Sequence, residues 1–282
     1  MSVTLVTAFY PIPSKFPAAK YLEWARFFMT LECAHIVLFT SAAMAPEITA
    51  LRTSGPPLHV ITTEFTDLDS WKLWGSTGKW DEHHRMDPEA FRHSPQLYAV
   101  WAQKAFCLVH AARKNPFQST HFMWHDIGAF RSDIPEPIRK TYPTKTHFPA
   151  DRLLMLAIEP LHAGDATRCA DGIRGRHAYP KIRNGGGIFG GTAQACERWL
   201  HAYIDMVYRY MAVGRFAGKD QEVMLSTYFH DSSLATFVTS TVPGVTWFFL
   251  PYLCSEFGAR FQVEDTYARE VLLADQSEIV PE

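Results

Sequence analysis

Short apolar runs alternate with longer segments of helical periodicity along most of the chain. Runs rich in β-branched and aromatic residues predict strands, whereas apolar positions three and four apart predict helices. A strand-helix alternation of this kind is typical of βαβ units and a largely parallel sheet. The predicted strands are 3–9, 35–40, 58–65, 121–124, 152–158 and 245–250, and the predicted helices start near positions 14, 46, 94, 193 and 219.

The most informative stretch is the strand-like run 121–124, which is followed by His125, Asp126 and Gly128. In open α/β sheets, ligands bind in the crevice outside the carboxyl ends of the strands. This position makes Asp126 the first candidate for chemistry. The alternative is a simple turn, since aspartate followed by glycine is also a common turn signal.

The predicted helix 94–114 begins at Ser94-Pro95, a cap residue followed by proline in the first turn. One of its faces carries Leu97, Lys104 and Leu108. A lysine in an apolar stripe needs a partner, because an unpaired buried ammonium is very costly. Lys104 therefore either forms a structural ion pair, extends its amine to solvent, or points at an anion near the sheet edge.

Five glycines fall within 184–191, and Thr192 is placed to cap the helix that follows. Glycines allow close approach of the backbone to a ligand, and a helix start suits an anion. A corner between strands without a ligand is the alternative. The next predicted helix opens near Asp220, a residue that is either functional or merely the helix cap.

Composition narrows the classes of function. The 282-residue chain is 47% hydrophobic and 20% charged, which indicates a globular protein, and its formal charge of −2 argues against a nucleic-acid or anionic-membrane surface. Its five scattered cysteines indicate free thiols in a reducing compartment. With neither a leader peptide nor an apolar stretch of membrane-spanning length, we expect a cytoplasmic protein. The sequence gives no indication of its oligomeric state.

Four ordered features together resemble the HtrL/YibB-like group of glycosyltransferase-type proteins. They are residues 6–10, residues 101–104 ahead of 115–117, residues 124–131, and residues 186–191 followed by 219–221. The resemblance implies a GT-A-like fold: an α/β protein with a Rossmann-like, mostly parallel central sheet flanked by helices, in a single large domain. It further implies a nucleotide-sugar-binding half over about 1–131, an acceptor-binding half over about 150–250, and a covering tail over 251–282.

The resemblance also assigns roles to individual residues. Asp220 is the expected catalytic base. The expected nucleotide-sugar-binding residues are Thr7, Ala8, Phe9, Tyr10, Lys104, Asp126 and Arg131, and the expected acceptor- or sugar-binding residues are Gly190, Gly191 and Gln221. Asp126 stands where this fold places a carboxylate that holds Mn²⁺ or Mg²⁺ on the diphosphate.

One departure bears on the metal. The usual signature has two aspartates flanking one residue, whereas Trp124-His125-Asp126 has only the second. In an extended segment His125 faces away from Asp126. His230 is the remaining candidate for a distal metal ligand.

The function implied by the resemblance is metal-assisted transfer of a sugar from a nucleotide sugar, expected to be a UDP-hexose, to a hydroxyl of a small-molecule or glycan acceptor. One alternative is a non-catalytic protein that binds a nucleotide or carbohydrate with the same fold. Another is a metal-dependent HD-type phosphohydrolase, suggested by His125-Asp126 and requiring an all-helical protein.

Overall fold

The computed structural model describes residues 2–175, 182–240, 246–260 and 279–280. Its strands are β1 Val3–Phe9, β2 His35–Thr40, β3 His59–Thr62, β4 His121–His125, β5 Leu153–Ala157, β6 Arg168–Cys169, β7 Asn184–Thr192, β8 Ala235–Val238 and β9 Ile279–Val280. Its α-helices are α1 Ala18–Met29, α2 Ala45–Thr49, α3 Lys79–His84, α4 Pro95–Lys114, α5 Glu136–Thr141, α6 Ala193–Ala212, α7 Asp220–His230 and α8 Phe249–Leu253. Trp71–Gly75 forms a π-helical turn.

A seven-stranded sheet in the order β3-β2-β1-β4-β7-β5-β8 organises the chain. Strand β7 runs antiparallel to both of its neighbours, and all the other pairs in this sheet are parallel. The antiparallel β7 enters the sheet at the edge where β4 ends, so that His125 pairs with Ile188. The expected fold class, α/β with a mostly parallel central sheet flanked by helices, is confirmed.

Alternate residues of the strands supply two apolar layers, one on each face of the sheet. On one face Val6 and Trp124 pack in a core shared with α4, α6 and α7. On the other face Leu5 and Met123 pack with α1 and α8. The sheet is therefore buried on both sides, as a parallel α/β sheet requires.

Helix α4 is bounded as the sequence predicts. The Ser94 hydroxyl accepts a hydrogen bond from the backbone N–H of Leu97, and Asn115 ends the helix in the left-handed conformation with φ of 39°. These two caps fix the register of the 20-residue helix and with it the direction in which Lys104 points.

Three sequence expectations differ from the structure. The glycine-rich segment forms the continuous strand β7, so the corner between strands considered for it is wrong, although Thr192 does cap α6 by accepting from the N–H of Ala195. The strand expected over 245–250 is wrong, because 246–248 form a 3₁₀ turn that leads into α8; residue 245 lies outside the described part. Strand β8 was not expected, and of the tail 251–282 only 251–260 and 279–280 are described.

In the described part of the chain, no helix combines the length and the apolar content needed to cross a lipid bilayer.

Gly190 is required by the close approach of β7 to β4. A Cβ built at Gly190 falls 2.2 Å from the carbonyl oxygen of Phe122 and 2.5 Å from the Cα of Met123. Gly190→Ala should therefore force the two strands apart and lower the free energy of unfolding by about 3 kcal/mol or more, as measured by urea denaturation. Gly185→Ala on the same strand is the matched control, because its nearest neighbour is the Leu156 side-chain tip at 3.1 Å, which can move. Equal losses in the two variants would contradict this account.

Candidate active site

A cavity of about 540 Å³ opens at the edge where β1 and β4 end and β7 begins. Aromatic rings form much of its wall, and its charged lining residues are Lys15, Lys104, Asp126, Arg131, Lys219 and Asp220. This is the sheet edge at which the sequence places ligand binding. The cavity brings together residues from the two ends of the chain.

Asp126 presents its carboxylate to this cavity, and its side chain remains 41% exposed. Its backbone N–H donates to the carbonyl of Gly187 at 2.8 Å, and the indole N–H of Trp124 donates to its Oδ1 at 2.7 Å. A backbone turn does follow, from Asp126 to Ala129. A turn and a functional carboxylate are thus compatible, since the side chain of Asp126 lines the cavity while its backbone carbonyl accepts the hydrogen bond of the turn.

Lys104 lies between two carboxylates. Its Nζ donates to Asp220 Oδ2 at 2.9 Å and to the carbonyl of Gly186 at 2.9 Å, and lies 3.4 Å from Asp126 Oδ1. Its side chain is only 6% exposed. The structural ion pair considered for Lys104 is therefore present, and the ammonium also lies in the lining of the cavity at the sheet edge.

Burial has opposite effects on these two groups. Burial alone lowers the pKa of Lys104, but the carboxylates of Asp126 and Asp220 outweigh it, and the net pKa is raised. Burial raises the pKa of Asp126, and the nearby ammonium of Lys104 only partly offsets it. The ammonium stays charged, and the Asp126 carboxylate is a stronger base than an aspartate in water.

Asp220 is the first residue of α7, and the cap position belongs to Lys219, so the cap alternative for Asp220 is wrong. Its side chain is 7% exposed and its Oδ2 bonds Lys104. Asp220 is thus a buried partner of Lys104 at the cavity wall.

The glycines at the cavity make room for these carboxylates. A Cβ on Gly186 would lie 3.0 Å from Asp220 Oδ2, and one on Gly187 would lie 3.0 Å from Asp126 Oδ2. Gly190 and Gly191, expected to meet the sugar or acceptor, lie outside the lining and pack on the backbone of β4 and on Arg152. Their position gives no support for a sugar contact, because their close neighbours are backbone and side-chain atoms of the fold itself.

The remaining expected binding residues are placed in different ways. Ala8, Phe9 and Tyr10 line the cavity, whereas Thr7 is buried in β1 and does not. Gln221 lines the cavity and donates from Nε2 to the carbonyl of Asn184 at 2.6 Å.

Arg131 lies at the exposed rim of the cavity. Its guanidinium stacks over the ring of Trp24 at 4.7 Å and lies 5.7 Å from the ring of Phe16. This stacking restricts the position of the guanidinium, which remains exposed to water.

Two cations of the lining, Lys15 and Lys219, are not among the site residues that the sequence predicts. Lys15 lies 5.2 Å from the centre of the Trp101 ring, and its pKa is lowered, mainly by burial. Nothing in the sequence around Lys15, which follows a strand interrupted by prolines, indicates a binding role. Lys219, in contrast, adjoins Asp220, and this neighbour could have identified it as a site residue.

Neither histidine considered with Asp126 joins it. His125 faces the opposite side of β4, where its ring stacks on Phe28 at 4.7 Å. His230 lies at the far end of α7, outside the cavity, and accepts a hydrogen bond from the N–H of Arg174 at 2.9 Å. The assignment of His230 as a metal ligand with Asp126 is therefore wrong. The phosphohydrolase alternative is also wrong, because His125-Asp126 ends a strand in a sheet.

With the ammonium of Lys104 in place, the carboxylates at the cavity do not suit a divalent metal. Such an ion takes several oxygen ligands, commonly more than one carboxylate. Here the Oδ1 of Asp126 already accepts from Trp124, and an ammonium lies between Asp126 and Asp220. In the described part of the chain, no group of three or more histidine, cysteine, aspartate or glutamate side chains is arranged to hold a metal ion.

His125 should make the stability of the fold depend on pH. Burial lowers its pKa to about 3, so below pH 6.5 the unfolded chain binds a proton that the folded one does not. Folding is then weakened as pH falls, by about 2 kcal/mol at pH 5 relative to pH 7. His125→Phe, which keeps the ring stacking, should remove this part of the dependence in urea titrations at the two pH values. Identical pH dependence in the two proteins would contradict the assignment.

Comparisons with known proteins give little beyond the geometry. The sequence matches no protein-family model and no curated protein. Among solved structures, the chain is similar to mouse xyloside xylosyltransferase 1 in its apo form, with 14% sequence identity over 84% of this chain and 85% of that chain and a TM-score of 0.46.

Proposed function

We propose that the protein is a glycosyltransferase that moves a sugar from a nucleotide sugar to a hydroxyl acceptor. The observation that carries the proposal is the charge of the cavity. Four lysine and arginine side chains and two carboxylates line it, which gives four minus two, or a net charge of +2 among the described residues. A dianionic diphosphate flanked by a flat base and a sugar matches that charge and the aromatic wall.

We infer the orientation of the ligand from the elements that contribute to the lining. The end of β1, residues 8–10, offers backbone and aromatic surface for the base and ribose. Arg131 at the rim and Lys104 at the floor then meet the diphosphate, and Gln221 lies beside the sugar. We favour a UDP-hexose as the donor, because a UDP-hexose is the donor that the sequence resemblance implies.

The chemistry requires neutralisation of the leaving group and removal of one proton. The acceptor oxygen attacks the anomeric carbon, the bond from that carbon to the diphosphate oxygen breaks, and the electron pair leaves with the diphosphate. Cationic side chains aimed at the departing diphosphate stabilise the charge that develops there. The proton of the acceptor hydroxyl passes to a carboxylate.

Of the two carboxylates, Asp126 suits the role of base better than Asp220. The side chain of Asp126 is 41% exposed to the cavity, whereas that of Asp220 is 7% exposed and held by Lys104. Desolvation by the protein that surrounds this half-exposed carboxylate also raises the pKa of Asp126 and so increases its basicity. We therefore assign the proton to Asp126 and the positioning of Lys104 to Asp220, the reverse of the roles implied by the resemblance.

A screen of nucleotide sugars for protection against thermal unfolding tests the proposal, with calorimetry on any compound that protects. A donor at about 100 times its dissociation constant adds about 2.7 kcal/mol to the free energy of unfolding. Arg131→Ala should weaken binding of that donor, whereas Lys79→Ala, at an exposed ion pair outside the cavity, should not. The absence of binding by every UDP- and GDP-sugar would end the proposal.

The second candidate is a nucleotide- or carbohydrate-binding protein without catalysis. The observation that favours it is Trp124, which occupies the place of the first aspartate of the usual signature and bonds the second. This alternative predicts nucleotide-sugar binding with neither hydrolysis nor transfer. Product analysis on acceptor mixtures separates the two candidates.

A further inference from the structure

Three oxygen atoms surround one cation at the cavity floor. The Nζ of Lys104 lies 2.9 Å from Asp220 Oδ2, 2.9 Å from the Gly186 carbonyl oxygen and 3.4 Å from Asp126 Oδ1. The three oxygens come from α7, β7 and the end of β4, so they converge only in the folded chain. Two carboxylates and a backbone carbonyl are the ligand types that a hard divalent cation prefers.

We propose that the ammonium of Lys104 permanently occupies the position of a divalent cation, and that the protein binds a nucleotide diphosphate without a metal ion. The part concerning the diphosphate rests on the proposed function. The part concerning the cation position rests on the geometry alone and is testable without a nucleotide.

The ammonium is held too firmly for a metal ion to displace it. Its side chain is 6% exposed and that of Asp220 is 7% exposed, so moving it away would leave a buried carboxylate without its partner. The chain of Lys104 enters from the middle of α4, whose two caps fix the helix. The Cα of Lys104 is therefore fixed, and the ammonium can move only by a rotamer change that breaks its bonds to Asp220 and to the Gly186 carbonyl.

The other carboxylate oxygen of Asp126, Oδ2, does not provide a second cation position beside the first. Its partner oxygen, Oδ1, lies 3.4 Å from the ammonium and accepts from Trp124 at 2.7 Å. A divalent ion on Oδ2 would have the ammonium as its close neighbour and be repelled by it. His125, which adjoins Asp126, faces the other side of the strand and brings no further ligand.

The experiment is a manganese titration followed by electron paramagnetic resonance, on the wild-type protein and on Lys104→Ala. The wild type should bind no Mn²⁺ at this position. Lys104→Ala removes the ammonium and leaves the three oxygens facing a space, so it should gain a bound Mn²⁺ and a higher thermal midpoint in its presence. The double variant Lys104→Ala/Asp126→Asn should lose that gain.

The second part of the experiment measures nucleotide binding with and without a divalent metal. Calorimetry of the wild type with UDP should give the same dissociation constant in excess EDTA and in excess Mn²⁺, whereas Mn²⁺-dependent tightening of about tenfold or more, equal to 1.4 kcal/mol, overturns the proposal. Binding of one Mn²⁺ per wild-type molecule that is lost in Asp126→Asn also overturns it.

If UDP fails to bind in either buffer, the proposed function fails, and the manganese titration of the wild type still decides the cation position. If Lys104→Ala does not fold, even when refolded with Mn²⁺, the wild-type titrations alone give the result.

Discussion

Lys104→Met should lower the free energy of unfolding by about 3–5 kcal/mol at neutral pH, because it removes the cation from a buried pair and leaves the carboxylate uncompensated. Asp220, 7% exposed, bears most of this cost, and Asp126 adds to it. Methionine keeps the length and the apolar contacts of the lysine stem, so the loss reports the charge and not a cavity. Chemical denaturation monitored by circular dichroism measures it.

The loss should shrink as the pH is lowered. Without the ammonium, the pKa of the Asp126 carboxyl, already raised by burial, rises further above its unfolded value. The folded variant then binds a proton that the unfolded chain does not, so its stability recovers as pH falls through the folded pKa. Lys114→Met, at the exposed end of the same helix, is the control and should leave the unfolding midpoint unchanged. A pH-independent loss would mean that the charge is not its cause.

Asp126→Asn should reduce the turnover of a nucleotide sugar by about 10² to 10⁴-fold, the usual worth of a general base. Asparagine retains an oxygen that accepts from the Trp124 indole, so the fold of the site should persist. The affinity for the nucleotide sugar should stay the same or rise, since a negative charge is removed beside an anionic ligand. Steady-state kinetics with calorimetry separates the two effects.

The dependence of kcat on pH in the wild-type protein is a second test of Asp126 as the base. A base must be unprotonated to act, so kcat should fall as pH drops through the raised pKa of Asp126. Asp126→Asn should show a low rate without this limb. If Asp220→Asn, and not Asp126→Asn, removed the limb while Lys104 kept its place, the roles of the two carboxylates would have to be exchanged again.

The sequence predicts local features of this molecule well. Ser94-Pro95 and Thr192 give helix starts that the structure confirms, because a cap is decided by residues a few positions apart. The prediction that His125 and Asp126 face opposite ways also follows from local geometry, the alternation of a strand. A lysine in an apolar stripe correctly signals a buried partner.

The sequence near Lys104 does not indicate which residue is its partner. Lys104 and Asp220 are separated by 116 positions, and only the insertion of β7 and the packing of α7 bring them together. That the glycine segment forms a central strand is beyond prediction for a related reason. Glycines usually indicate a loop, but here Gly190 allows β4 to approach and Gly187 gives space to a carboxylate, needs that arise from residues far away in the chain.

The antiparallel strand β7 also bears on how the chain can be divided. It lies between β4 and β5 and so joins the first half of the sequence to the second by backbone hydrogen bonds. A fragment that stops near residue 131 would carry the first-strand surface expected for the nucleotide, yet it would end in a row of unpaired peptide groups along β4 that invites self-association. Such a fragment would also lack Asp220 and the Gly186 carbonyl. Recombination with a protein of the same fold should therefore preserve the chain from β1 through α7 as one exchangeable block.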